Sequence, residues 1–254
     1  MVPPDAGLTA ELSDAGDVAS ITLNRPDKRN AQTPATWLAI TTVVRAFPAT
    51  VRVLVIRGAG SAFSAGLDLS RRGELLELAA SPEVDALARI DSFQEAFRQA
   101  ARPDLVSIAA VQGHAVGAGF QLALSCDLRI AAEDAQFCMA EVGLGLVPDL
   151  GATKRLVELI GYSRAASLCL TGRRVSAAEA DKLGLVAEVV PPDQLDQVVE
   201  DYVAAVLAQP REAVIEIKAL LLEAAGRSQP EQERAERSAQ YRQLRLLAGL
   251  DDER

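Results

Sequence analysis

Histidine is nearly missing from this chain, which contains only His114, and that argues against a histidine-rich metal centre. Cysteine is scarce too. Cys126, Cys138 and Cys169 are odd in number and unclustered, which fits neither a disulfide scaffold nor a metal site and suits reduced thiols in a cytoplasm. No apolar run approaches the ~20 residues that a membrane span requires. The opening stretch "MVPPDAGLTAELSDAG" is acidic and lacks the charged-then-apolar pattern of a signal peptide. Basic residues are outnumbered, 26 Lys and Arg against 35 Asp and Glu, for a net charge of −9. That balance argues against nucleic acid and anionic membranes as partners. A small acidic ligand needs only local basic groups and stays open.

What is present is a large globular core, with 49% hydrophobic residues in 254. In "DVASITLNRP", Ala19, Ile21 and Leu23 alternate with Val18, Ser20 and Thr22, the pattern of a strand with one wetter face. "QTPATWLAITTVVRAF" reads as a helix with Pro34 in its first turn and Trp37, Ile40 and Val44 on one stripe. "VRVLVIRG" and "DLVSIAAVQG" are continuous apolar runs suited to buried strands. Residues 71–103 are charged and helical in character, with Leu87, Ile90, Phe93 and Phe97 at helical spacing. A helix from about Ala118 to Ser125 and a strand, "CDLRIAA", follow, and "LVAEVV" is the last strand signal. The spacing divides the chain into a core over 1–192 and a helical region over 193–254.

"VLVIRGAGSAFSAGLDL" and "VSIAAVQGHAVGAGFQL" share a plan of strand, glycine, small-residue turn and helix, a weak internal repeat. The second turn, "HAVGAGFQLALSCD", imitates a dinucleotide fingerprint. Leu122 stands where a third small residue would allow close helix–strand packing, and Glu133 and Asp134 fall short of the ~20-residue spacing to a ribose-binding acid. The glycines fit another use. At a helix start they let backbone N–H groups face a ligand oxygen. A second N–H, from "FSAGLD", would complete an oxyanion hole. Ser64 lacks the flanking glycines of a nucleophile elbow, which argues against a serine thioesterase.

Five segments in order, "ITLNRPDKRNA", "AFSAGLDL", "SIAAVQGHAVGAGFQLALSCDLRIAAEDAQF", "EVGLGLVPDLGATKRLVELIG" and "LTGRRVSAAEADKLGLVAEVV", resemble the crotonase, or enoyl-CoA hydratase/isomerase, superfamily over nearly the whole chain. The resemblance implies an α/β fold: a spiral of strand–strand–helix units with a C-terminal helical region that assembles a homotrimer or a dimer of trimers. It implies a coenzyme A thioester as substrate, no metal, and no cofactor beyond the coenzyme A moiety itself. The backbone N–H groups of Leu67 and Ala118 would hold the thioester oxygen as an enolate forms. Arg25, Lys28, Arg29 and Ala31, with Ala65 and Asp68, would lie at the coenzyme. Lys218 is a candidate basic group offered to a neighbouring subunit. Phe93 and Phe97 are candidates for the acyl pocket, and His114 reads as a structural turn residue.

Three positions bear on the reaction. Family hydratases hold a water between two glutamates, at the positions of Gln121 and Glu141. Here Gln121 can hydrogen-bond a water but cannot exchange a proton with it. Asp149, eight residues after Glu141, matches an aspartate that several isomerases of the superfamily use to move a proton. It is also well placed to cap a helix beginning near "LGATKRL". The expectation is an isomerase that shifts a double bond with Glu141 and Asp149 as acid and base. A hydratase and a non-catalytic acyl-CoA-binding protein are the alternatives. Decarboxylases, dehalogenases and hydrolases share the scaffold.

Overall fold

The computed structural model describes residues 6–250. Along the chain, β1 (Leu8–Leu12) and β2 (Val18–Leu23) lead into α1 (Pro34–Ala46) and β3 (Val53–Gly58). Next come α2 (Arg72–Ala80), α3 (Glu83–Ala100), β4 (Val106–Val111), β5 (His114–Val116) and α4 (Ala118–Ser125). They are followed by β6 (Leu128–Ala132), β7 (Gln136–Cys138), α5 (Ala152–Ile160), α6 (Tyr162–Thr171) and β8 (Arg174–Ser176). The rest is α7 (Ala177–Leu183), β9 (Glu188–Val190), α8 (Leu195–Leu207), α9 (Arg211–Ala224) and α10 (Gln229–Leu247).

Six strands form one sheet in the order β1-β2-β3-β4-β6-β9, parallel except for β1. Strands β5, β7 and β8 form a second, small sheet. A parallel sheet is covered on both faces, so its strands read as unbroken apolar runs. Leu54, Ile56 and Ala109 face a core shared with Ile40 and Val44 of α1. Val53, Val55 and Ile108 face the other way, where Leu195 and Val199 of α8 cover them. On β2, Ala19, Ile21 and Leu23 are buried and Val18, Ser20 and Thr22 half-buried, as their alternation requires. Helix α1 starts at Pro34 behind a Thr33–Thr36 capping box. No helix among the described residues is long and apolar enough to cross a membrane.

Some local structure departs from the sequence pattern. Strands β7 and β8 have three residues each, too few for a period of two to register. Strand β1 buries one residue of five, so it carries no alternation. On α3 the expected stripe is half used. Phe93 and Phe97 pack on Trp37, with ring centroids 5.1 and 6.2 Å away. Leu87 is 58% exposed because the N-terminal half of the helix runs beyond that contact. Helices α9 and α10 leave Ile217, Leu221, Tyr241 and Leu247 exposed.

Candidate active site

The two halves of the internal repeat run side by side. Phe63 N–H donates to the Gln112 carbonyl, Ser64 N–H to that of His114, and Val116 N–H to that of Ser64. These bonds bring the turn at 65–67 against the turn at 116–118. Gly66 has φ +84°, and a Cβ there would lie 2.4 Å from the Val116 oxygen and 3.4 Å from Ala118 N. Only glycine permits that approach. Gly117, φ +50°, caps α4 without a side chain, leaving the first N–H groups of the helix unpaired. Among the described residues, no turn or loop bond occupies the N–H of Leu67 or of Ala118. The two donors assigned from sequence therefore come from adjoining turns and are both free.

Glu141 stands over this pair of turns. A Cβ on Gly117 would be 3.2 Å from its Oε1. The residue opens a short 3-10 turn, Glu141–Leu144, and is buried. Gln121, on α4, donates from Nε2 to Glu141 Oε1 at 2.7 Å and accepts from Leu150 N–H on Oε1 at 3.0 Å. Since the Leu150 amide can only donate, the orientation of the Gln121 amide is fixed. Glu141 Oε2 is buried with no hydrogen-bond partner among the described residues. Burial pushes the Glu141 carboxyl up, and the charge of Asp149 pushes it the same way against the Gln121 N–H.

Asp149 sits at the mouth of the site, exposed, yet enough protein crowds its carboxyl to raise it by desolvation. Its backbone is held on both sides: Gln94 Nε2 donates to its carbonyl at 2.6 Å, and the next N–H goes to Gln121. It does not cap α5. That helix begins at Ala152, and the cap position belongs to Gly151, which makes no side-chain cap bond. The capping reading fails because the helix starts three residues later than Asp149.

Charge is spent differently at the lip of the site. Arg25 pairs with Asp68 at 2.7 Å and donates to the Ala31 carbonyl at 2.8 Å. Asp68 also accepts from the Ser70 hydroxyl and N–H, and these bonds together with Arg25 hold its carboxyl down at about 2. Arg25 and Asp68 thus act on each other, while Lys28 and Arg29 are exposed and unpaired among the described residues. Ala31 and Ala65 lie half-buried beside them, and Ala65 N–H donates to the Arg29 carbonyl.

Sequence reasoning missed the struts behind this lip. Asn30, with φ +56°, donates from Nδ2 to the Ala59 and Ala62 carbonyls. Ser64 Oγ donates to the Asn30 carbonyl and accepts from Gln32 Nε2 and Gly66 N–H. Trp37 Nε1 donates to Gln32 Oε1. The signal in the sequence is the set of amides and hydroxyls at Asn30, Gln32 and Thr33, directly after the charged stretch at 25–29.

Two further expectations meet the structure here. Lys218 is buried, and its Nζ donates to the Leu105 carbonyl and to Asp127 at 2.7 Å each, so it ties α9 to the sheet and has no charge to offer a neighbour. His114 contributes its backbone carbonyl to the Ser64 bond, in line with a structural role.

Known proteins resemble this chain along most of its length. The enoyl-CoA hydratase/isomerase family profile matches residues 13–245. A Syntrophomonas wolfei protein named crotonyl-CoA hydratase is 38% identical over 201 residues, 78% of this chain and 75% of its own. A Thermobifida fusca YX protein solved in complex with CoA superposes with a TM-score of 0.90 at 45% identity, covering 98% of this chain and 99% of that one. A T. fusca structure with acetoacetyl-CoA gives 0.88 at 46% identity, over 94% and 95%.

Proposed function

The chain belongs to the enoyl-CoA hydratase/isomerase family, an acyl-CoA-binding enzyme family, and on that footing we propose that it moves a double bond along an enoyl-CoA thioester. The observation that carries this reading is the Glu141–Gln121 pair. One carboxylate oxygen is satisfied by an amide, and the other is buried and unpartnered beside the two turns. Gln121 has no proton to exchange, and its carbonyl is already committed to Leu150. A water held there would meet one carboxylate rather than two, whereas hydration needs both a base for the water and an acid for the carbon.

In the proposed step, Glu141 Oε2 removes a proton from the carbon next to the thioester carbonyl. In a 3-enoyl thioester the electron pair of that C–H bond forms a carbon–carbon double bond to the carbonyl carbon while the carbonyl π pair moves onto the thioester oxygen, giving a dienolate whose oxygen accepts from the Leu67 and Ala118 N–H groups. Asp149, whose carboxyl is raised by desolvation, returns a proton in its acid form at the far carbon of the former double bond, and the proton taken up by Glu141 goes back to solvent as Asp149 is reprotonated. Substrate and product have the same composition. Each donor is worth about 10²–10³ in rate. Lys28 and Arg29, unpaired at the lip, suit the phosphates of the coenzyme. The exposed apolar residues of α9 and α10 fit assembly of the 193–254 region into a trimer.

A second reading is hydration, which the name of the S. wolfei relative favours. The test is a panel of 2-enoyl-, 3-enoyl- and dienoyl-CoA esters followed by mass spectrometry and chromatography. The expected result is a shifted double bond at unchanged mass, lowered about 10²-fold or more by Glu141→Gln and by Asp149→Asn. Rapid gain of one water by the wild type overturns the reading, and so does unchanged turnover in both variants.

A further inference from the structure

Asp149 ends a segment that little else holds. Residues 142–147 are all exposed, and a Cβ on Gly143, Gly145 or Gly151 would meet nothing within 4 Å. Among the described residues, Val147, Pro148 and Asp149 donate no turn or loop backbone bond and accept none from another backbone N–H. The Asp149 carboxyl bonds no other residue's side chain among them. Where that carboxyl stands is therefore set by its backbone, and the backbone is gripped at one peptide group. The Asp149 carbonyl and the Leu150 N–H belong to a single trans peptide plane and point opposite ways. Gln94 Nε2 donates to the carbonyl at 2.6 Å, and the N–H donates to Gln121 Oε1 at 3.0 Å. Held from both edges, the plane cannot turn. Both glutamines stand on helices fixed by packing. Phe93 and Phe97, which flank Gln94 on α3, seat that helix against Trp37, and Gln121 is buried on α4.

We propose that Gln94 is a positioning residue for Asp149: with Gln121 it clamps the peptide group between residues 149 and 150 and so aims the Asp149 carboxyl at the substrate. Gln121 also donates to Glu141 Oε1 at 2.7 Å. The clamp thus ties Asp149 to the same amide that orients Glu141, and the spacing of the two carboxylates is set by α3 and α4 instead of by the exposed segment between them. A carbonyl only accepts, so the part Gln94 plays is that of a donor. Without it the peptide plane is held from one edge and the carboxyl can swing, and a misplacement of about 1 Å costs up to ~10² in rate. This inference rests on the reading that Asp149 returns the proton, and it names the side chain that holds Asp149 to that task.

The test measures isomerisation of a 3-enoyl-CoA by the full chain. Gln94→Met keeps the length and helix propensity of the side chain and removes the donor. It should lower kcat by about tenfold or more and leave KM within about twofold, because it disturbs the reacting geometry and not binding. Gln94→Lys can still donate to the carbonyl and should recover most of kcat, whereas Gln94→Glu, a carboxylate, cannot donate and should not. In an Asp149→Asn background, Gln94→Met should cause no further loss, since the group it aims is gone. Wild-type kcat in Gln94→Met overturns the inference. So does a loss that adds in full to that of Asp149→Asn, which would place Gln94 in the fold alone. If Gln94→Met does not fold, the other pair decides: higher kcat in Gln94→Lys than in Gln94→Glu supports the inference, and equal values overturn it. Unchanged turnover in Asp149→Asn sinks the proton-return reading itself, whereas a normal Gln94→Met beside an impaired Asp149→Asn sinks only this inference.

Discussion

The lip of the site and its reacting corner are built on opposite plans. At the lip, Asn30, Gln32, Ser64, Arg25 and Asp68 find their partners in one another and in the backbone and side chains packed around them. At the corner, Glu141 has one oxygen paired and one bare, and Asp149 is held only through its backbone. Closed networks fix geometry, since each partner over-determines the next. An open valence in a desolvated place raises a carboxyl and keeps it available for a proton. The difference teaches how the same polar vocabulary serves two ends: saturation makes the frame and deficit makes the reagent.

The comparison breaks most severely at the hinge between the two regions. Gly66→Ala should cost about 10²–10³ in kcat through loss of one aligned donor, because the new methyl group meets the Val116 oxygen at 2.4 Å in a backbone conformation with φ +84°. Steady-state kinetics beside a thermal melt checks it: wild-type kcat in a folded variant would refute the role of this approach.

The next effect sharpens the corner. Acting as a base, Glu141 must be deprotonated, so kcat/KM should fall as pH drops through a value above the ordinary glutamate range. Asp149 contributes to that elevation, so Asp149→Asn should move the acid limb of the residual activity to lower pH. A limb that stays in place would show that the two carboxylates are not coupled.

The smallest effect belongs to the lip. Asp68→Asn should lower stability near neutral pH by about 1–3 kcal/mol, with kcat little changed. The Asp68 carboxyl is depressed in the folded chain, so its contribution is present above the ordinary aspartate range and vanishes as pH falls towards about 2. Melting curves of the two proteins should therefore converge on acidification. A gap that persists to the lowest pH would mean that Asp68 does not act through its charge.

Much of this was legible in the chain. Periodicity located β2, α1, β3, β4, α4 and β6 because each buries a face or a whole strand, and burial is what patterning encodes. The two glycine turns were legible because only glycine suits their backbone. The inward turn of Gln121 towards Glu141, the solitary oxygen on that glutamate and the commitment of Arg25 to Asp68 were not, for each depends on how segments distant in sequence come to face one another. Lys218 illustrates the limit: the resemblance offers it as a basic group for a neighbouring subunit, and the fold buries it on a carboxylate and two carbonyls.

The bonds that stitch Ser64 to His114 and Val116 have a consequence in time. They join segments about fifty residues apart, and parallel strands such as β3 and β4 cannot pair through a tight hairpin. A chain in which only the first turn has formed holds one of the two turns without its neighbour. The two free N–H groups of Leu67 and Ala118 therefore come to lie side by side only once this long-range contact has closed, which makes their juxtaposition a late product of folding and not a local one.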